Sequence, residues 1–575
     1  MTFYRCSLAA LAAAGLFATF WAEPAAAATK PFDFQAKSLS GNYLAGRYAS
    51  TLREMDSAAH FFNQALKDDP SNPVLIERAF ILDLSAGNLQ RAESFAAKVV
   101  EGNPQHRMAR IVLGLKAFRE GRLADARENL RKAAFTPVGE LTSGLLVAWI
   151  FAKEHKLDLA LKALDILDNN DAFANFKLLH SALISDFVND RPKADDLYKQ
   201  VYDQAGSSLR VVQAYGNYLQ RQGKEADARK VYEEFLASAP RNPLVAAAEA
   251  NLKQGAKVEP FIPDAASGMA EALFNLASAL TDDQSIDVSL IYTQLALSLK
   301  PGFPVAQTLL GEIYEDTKRY GKAIEAYETI EKSSPLHSSA EIQIASNLNS
   351  LEKDKDAIAR LSKLVGAEPG NYDAWVARGN IERLHEKWSD AAVSYTRALE
   401  LEKDPAKQQW TTLYFRGIAH ERAGEWPKAE ADFRAALKLE PEQASVLNYL
   451  GYSMIEKGLN LQEALGMVEK AVDLKPNDGY IVDSLGWAHY QLGDYEEAVK
   501  HLERAVELRP EDSTINDHLG DAYWRVGRRL EAQFQWRHAK DSKPEAKDLE
   551  VIEKKLSDGL PDQPSSPPKK ADNKP

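Results

Sequence analysis

Residues 483–498 read DSLGWAHYQLGDYEEA, and residues 517–532 read DHLGDAYWRVGRRLEA. The two stretches lie 34 residues apart and share Asp, Leu-Gly, a second Gly and a closing Ala at the same steps. A glycine inside a helix costs about 1 kcal/mol against alanine, so one that recurs at the same step points to a close backbone approach. The second glycine suits the left-handed residue that ends a helix. Each stretch therefore reads as a helix, a turn and a second helix, with small residues where the two helices cross.

Carrying the register outward gives units starting at Leu39, Pro73, Arg107, Leu141, Asn175 and Leu209, and, after a break, at Ala270, Pro304, Ser338, Tyr372, Trp410, Ala444, Gly479 and Ser513. Position eight is Gly or Ala in every unit except the second, where Phe80 predicts looser or different packing. Position twenty is Ala throughout apart from Ser289, with Ala464 displaced by one residue. Seven units carry Gly at position fifteen, among them Gly87, Gly424, Gly493 and Gly527. Prolines such as Pro240, Pro441 and Pro510 stop the second helix. Self-similarity at one period over about 500 residues is the mark of a repeat array.

These residues resemble the tetratricopeptide repeat (TPR) family. The resemblance implies an all-α solenoid of about 14 helix-turn-helix units in two blocks, with the first helix of each unit, helix A, lining a concave surface. The expected organisation is a signal peptide at 1–28, an N-terminal segment at 29–38 and six units over 39–242. A capping helix and linker over 243–269 follow, then eight units over 270–546 and a disordered Pro/Lys-containing tail at 547–575. Within 243–269, Leu244 to Gln254 reads as a helix and Gly255 to Ser267 as a connection, either a hinge or an insert packed on the groove. Asp548 to Leu556 reads as a solvated helix inside the tail.

Arg5, the apolar run from Ser7 to Trp21, the break at Glu23-Pro24 and the small residues Ala26 and Ala28 make an export signal, cut before Thr29. The alternative is an uncleaved anchor. A bacterium of Gram-negative type would send such a chain to its periplasm, or outside as a secreted protein. The one cysteine, Cys6, lies within the signal, so the mature chain has no disulfide framework. No later stretch approaches the roughly 20 apolar residues of a membrane span, so no transmembrane segment is expected in the mature chain.

The 575 residues carry 70 basic and 83 acidic side chains, a net charge of -13. That balance excludes a generic nucleic-acid binder, which needs a basic footprint. Catalytic spacing is missing too. His385-Glu386 and His420-Glu421 begin like a zinc-protease helix, but Ser389 and Gly424 stand where the second histidine belongs. No phosphate-cradling glycine loop occurs, and Gly451-Tyr452-Ser453 sits mid-helix, where no nucleophile elbow forms. The chain reads as no enzyme, with no cofactor and no metal site.

Positions five, nine, twelve and thirteen of helix A should point into the groove. In the last three units they supply the candidate partner-binding residues Asn448, Tyr452, Asp483, Trp487, Tyr490, Asp517, Asp521 and Trp524. Exposed rings of this kind anchor partners at low entropic cost. Tyr490 and Trp524 read equally well as packing between units. TPR modules that hold acidic chaperone tails place Lys and Asn at these positions; here Asp483, Asp517 and Asp521 stand instead, which favours basic or polar partners. In the N-terminal block the inward positions are apolar: Ile81, Leu84, Ile111, Leu115, Phe118, Leu145, Trp149, Leu179 and Leu183. They read as packing against a tightly wound neighbouring turn, with a peptide groove as the alternative.

The functional expectation is a non-catalytic scaffold or adaptor of the bacterial cell envelope that holds other proteins or peptides in its groove. The alternative is a polysaccharide-binding or export-assisting protein, in which the rings stack on sugars. For this the repeats resemble the TPR arms of exopolysaccharide exporters, which usually precede a barrel or carry a lipid anchor, neither of which is expected here.

Overall fold

The structure is a computed structural model and describes residues 38–280, 285–403 and 409–561. The expected signal peptide, almost all of the N-terminal segment and residues 562–575 lie outside that range. The described residues form thirty α-helices and two short 3-10 turns, with no strand. Helix A begins on the expected residue in ten of the fourteen repeats and within five residues of it in the others. Its start is capped locally: Asn72 ahead of Pro73, Thr136 ahead of Pro137 and Asp512 ahead of Ser513 each accept a hydrogen bond from a backbone N–H of the first turn.

Position fifteen ends helix A with a left-handed residue in every repeat whose position is described. The glycines do so at φ values such as 81° at Gly493 and 82° at Gly527. Where the sequence has no glycine the backbone still takes that turn, at Arg53, His155, Asn189, Lys318, Glu352 and Glu386. The turn is thus set by the packing of the two helices. A non-glycine residue there bears about 1 kcal/mol of strain.

The small residue at position eight makes room for a large one at position twenty-four on helix B. A Cβ on Gly486 would stand 2.5 Å from Leu502 Cγ, and one on Gly417 would stand 2.6 Å from Phe433 Cε1. Repeat 2 exchanges the two sizes: Phe80 at position eight is fully buried, and Ala96 occupies position twenty-four. Its packing is therefore different from that of the other repeats, with the two sizes reversed, and is not loose.

The chain divides into two compact units, up to Leu364 and from Val365. The segment 243–269, expected to separate two blocks, lies inside the first unit. It is a helix (Pro243–Lys253), a connection, and the first residues of helix A of repeat 7 (Ala265–Ala279).

That helix packs against helix A of repeat 4 (Pro137–Lys153) and buries twelve of its fifteen residues. The inward apolar positions Leu84, Ile111, Leu115, Phe118, Leu145, Trp149, Leu179 and Leu183 are all buried, Ile81 partly, in one core with Met269, Leu273 and Phe274. Polar anchors fix the contact. Trp149 donates to His180 Nδ1 at 3.0 Å, and Asn275 meets His180 Nε2 at 3.3 Å. Burial holds His180 neutral, its pKa pulled down to about 4. Arg210 Nε donates to Glu271 at 2.9 Å, and Phe261, Phe274 and Phe303 surround the guanidinium. Helix A of repeats 2, 4 and 5 thus packs against the chain's own repeat 7.

The second unit holds repeats 10–14 and a final helix, Ala546–Asp558. This last helix corrects the reading of a solvated helix in a disordered tail. Ile552 is buried, and Leu556 and Leu560 pack with it against Trp524 and Trp536.

Candidate partner-binding surface

The eight residues singled out in the sequence lie on three helices A of the second unit, Ala444–Glu456, Gly479–Gln491 and Ser513–Arg525. They fall into three groups with different surroundings.

Asp483, Trp487 and Tyr490 build a column along one helix, because residues three and four apart share a face. The Tyr490 ring lies nearly parallel to the Trp487 indole at 4.6 Å. His518, from the next helix A, lies nearly parallel to it at 4.0 Å. His518 is bonded to Asp483, one turn before Trp487, whereas Tyr490 follows Trp487, so the two rings cover opposite faces of the indole. The indole N–H donates to Glu456 at 2.7 Å. His518 Nδ1 meets the Asp483 carboxylate at 3.0 and 3.1 Å. Burial alone would lower the imidazole's pKa, but the Asp483 carboxylate outweighs it and the value rises above the ordinary one. A cationic ring on an indole face is a cation–π contact as well as an ion pair. Arg525 Nε donates to Tyr490 Oη at 3.2 Å and ends the column.

Asp517, Asp521 and Trp524 lie under the final helix. Lys555 Nζ donates to Asp517 Oδ2 at 2.7 Å and to Asp521 Oδ2 at 2.9 Å. Trp536 Nε1 donates to Asp521 Oδ1 at 2.9 Å. Trp524 packs on Trp536 with ring centroids 5.3 Å apart, takes the Arg529 guanidinium over its ring at 4.9 Å and meets Gly559. For Trp524 the structure selects the packing role. Asp517 and Asp521 do not form a free acidic lining, since a lysine of the same chain neutralises part of their charge.

Asn448 and Tyr452 form the third group. Asn448 is buried, and its Oδ1 has no hydrogen-bond partner. Tyr452 is half-buried; burial pushes its hydroxyl pKa up, and the Glu456 and Asp483 carboxylates add to the rise. Glu456, four residues on, is exposed and links this helix to Trp487.

The surface that remains open on repeats 11–13 consists of Arg422, Glu456 and Gln491, which are exposed, with the half-buried Tyr452, Trp487 and Tyr490. Trp487 offers an edge and no free face, so the ring stacking on sugars expected of Trp487 and Trp524 has no geometry to support it. Sequence reasoning missed Glu456, His518 and Lys555. Lys555 left a signal: it stands 34 residues after Asp521, in register with the array. Among the described residues no cluster of His, Cys, Asp and Glu can hold a metal ion, and no helix is long and apolar enough to cross a membrane.

Family models described as TPR repeat and tetratricopeptide repeat match residues 78–139, 305–335, 410–443 and 486–527. The chain belongs to the tetratricopeptide repeat family, whose members generally mediate protein–protein interactions. It is 26% identical over 184 residues to the TPR repeat-containing protein PA4667 of Pseudomonas aeruginosa, covering 32% of this chain and 30% of that one. It is 32% identical over 127 residues to the cytochrome c-type biogenesis protein CycH of the same organism, covering 22% of this chain and 30% of that one. The matches thus span about a third of the length of these relatives. Among solved structures, the Cut9 and Hcn1 hetero-tetramer of the APC/C is similar over 91% of this chain and 96% of the other, at 15% identity and a TM-score of 0.37.

Proposed function

We propose that this chain is a non-catalytic adaptor of the bacterial cell envelope that binds other proteins or peptides on the helix-A surface of repeats 11–13. One observation carries the reading. On repeats 2, 4 and 5 helix A packs against the chain's own repeat 7, whereas on repeats 11–13 Arg422, Glu456 and Gln491 stay exposed beside the edges of Trp487 and Tyr490. Mixed charge around rigid aromatic edges suits a polar protein segment, with the rings as anchors. The envelope location rests on the export signal at residues 1–28.

A photo-crosslinking residue at Gln491, in cells that express the full chain, tests the proposal, with one at Lys500 on helix B of repeat 13 as control. The expected result is a discrete protein adduct at 491 and none at 500. Adducts at both positions alike, or only glycan at 491, would overturn it.

A further inference from the structure

The end of the array is covered by a helix that fits it incompletely. Counting 34 residues on from Ser513, the start of repeat 14, gives 547, one residue from the first residue of the final helix, Ala546. This helix therefore takes the place of a fifteenth helix A. Its buried contact is smaller than that of a full repeat: Ile552 is its one buried residue, with Leu556 and Leu560 half-buried beside it and the Lys540–Glu553 pair and the Arg525–Pro561 bond at its rim, whereas helix A of repeat 14 buries eight. Its tether is short: Ser542 to Glu545 join it to helix B of repeat 14 (Arg529–Asp541).

The polar match also leaves one acceptor unserved. One ammonium, Lys555, faces two carboxylates. Asp521 uses both oxygens, one on Lys555 and one on Trp536. Asp517 uses Oδ2 alone, and its Oδ1 is buried without a hydrogen-bond partner. Burial, partly offset by Lys555 and reinforced by Asp517, raises the Asp521 carboxyl above its ordinary value. A guanidinium carries five donors in a planar fork and can serve two carboxylates at once, which an ammonium on a single point cannot do as fully.

We propose that the end face of repeat 14, made by Asp517, Asp521, Trp524 and Trp536, is a docking surface for an arginine-bearing amphipathic helix of another protein, which displaces the chain's own final helix. The proposal deepens the protein-binding reading above and rests on it. The incoming helix would carry aliphatic residues at the places of Ile552 and Leu556, with arginine at the place of Lys555. A short flexible tether gives the resident helix an effective concentration in about the millimolar range, so it competes with any free helix and sets a threshold for binding.

The test uses a fluorescein-labelled peptide of residues 545–561 in two forms, native and Lys555→Arg, and fluorescence anisotropy. It is titrated with the full chain and with the full chain carrying Ile552→Asp and Lys555→Glu, which weaken the resident helix. The expected result is binding about tenfold or more tighter to the substituted chain, as removal of an intramolecular competitor requires. The Lys555→Arg peptide should bind more tightly than the native one. No binding to a substituted chain that keeps the wild-type helical content and melting profile would overturn the proposal, as would equal affinity of the two peptides. If the substitutions disturb the fold, hydrogen exchange of residues 546–558 in the wild-type chain decides: it should accelerate when the Lys555→Arg peptide is added, and unchanged exchange overturns the proposal. Dimers formed by exchange of this helix, seen by sedimentation, would assign the surface to a second copy and also overturn it. A protein adduct at 491 without peptide binding would leave the adaptor reading in place and remove this one alone.

Discussion

Replacing Gly486 by alanine should destabilise the second unit, while the same change at Gly466 should stabilise it. Both glycines lie inside helices, so each substitution gains about 1 kcal/mol of helix propensity. Gly466 has open space where a Cβ would go. At Gly486 the Cβ would stand 2.5 Å from Leu502 Cγ, 2.9 Å from Cδ2 and 3.1 Å from the Leu502 backbone nitrogen. A side chain can swing aside, but the backbone nitrogen moves only with helix B, which places the overpacking cost near the upper end of about 1–3 kcal/mol. The net loss is about 2 kcal/mol, and the two variants should differ by about 3 kcal/mol. For a unit of this size, that lowers the melting temperature by about 4–8 °C for Gly486→Ala and raises it by about 2–4 °C for Gly466→Ala. Thermal melts followed by circular dichroism measure the shifts, and hydrogen exchange localises them to repeat 13 for Gly486→Ala and to repeat 12 for Gly466→Ala. Adding Leu502→Ala to Gly486→Ala should cost less than the sum of the single changes, since the two side chains compete for one space. A Gly486→Ala protein as stable as Gly466→Ala would refute the view that close helix approach fixes the residue at position eight.

Three further outcomes follow from the same geometry. Lys318→Gly should raise stability by about 0.5–1 kcal/mol in denaturant titrations, because Lys318 holds φ at 58° and glycine relieves that strain at some cost in unfolded-state entropy. Tyr414→Phe should be neutral or stabilising by up to about 1 kcal/mol, because the Tyr414 hydroxyl is buried with no hydrogen-bond partner. The His518–Asp483 pair should make the second unit more stable at mildly acidic than at alkaline pH. His518 has a folded-state pKa above its ordinary 6.5, so its contribution is complete below 6.5 and is lost as pH rises through the folded value. Melts across that range should show the slope in the wild type and a flatter profile in His518→Gln.

The fold was legible because two local constraints recur at fixed steps. The small residue at position eight and the turn at position fifteen identified the units, and at Arg53, Lys318 and Glu386 the turn persists without its glycine. Phe80 left looser and different packing both open because its complement, Ala96, stands sixteen residues on, and the exchange of sizes is visible only when both helices are considered. The surface was harder to read. Which helix-A positions stay open depends on what the chain itself lays over them, and the period is silent about that. Trp487 was assigned to the surface by position, but its two faces are taken by Tyr490 and by His518, which arrives from another repeat. Asp517 and Asp521 looked free because Lys555 lies in a stretch with few apolar residues and without the glycine signals of the other units.

Oxidative footprinting of the full chain, alone and with the protein captured at residue 491, tests whether a partner sits on the helix-A surface of repeats 11–13. Modification of Trp487 and Tyr490 should fall in the complex. Leu530 and Phe534, which are 82% and 66% exposed on helix B of repeat 14, should react unchanged. Protection of Leu530 and Phe534 with no change at Trp487 and Tyr490 would place the partner on the other side of the repeats and contradict the proposal.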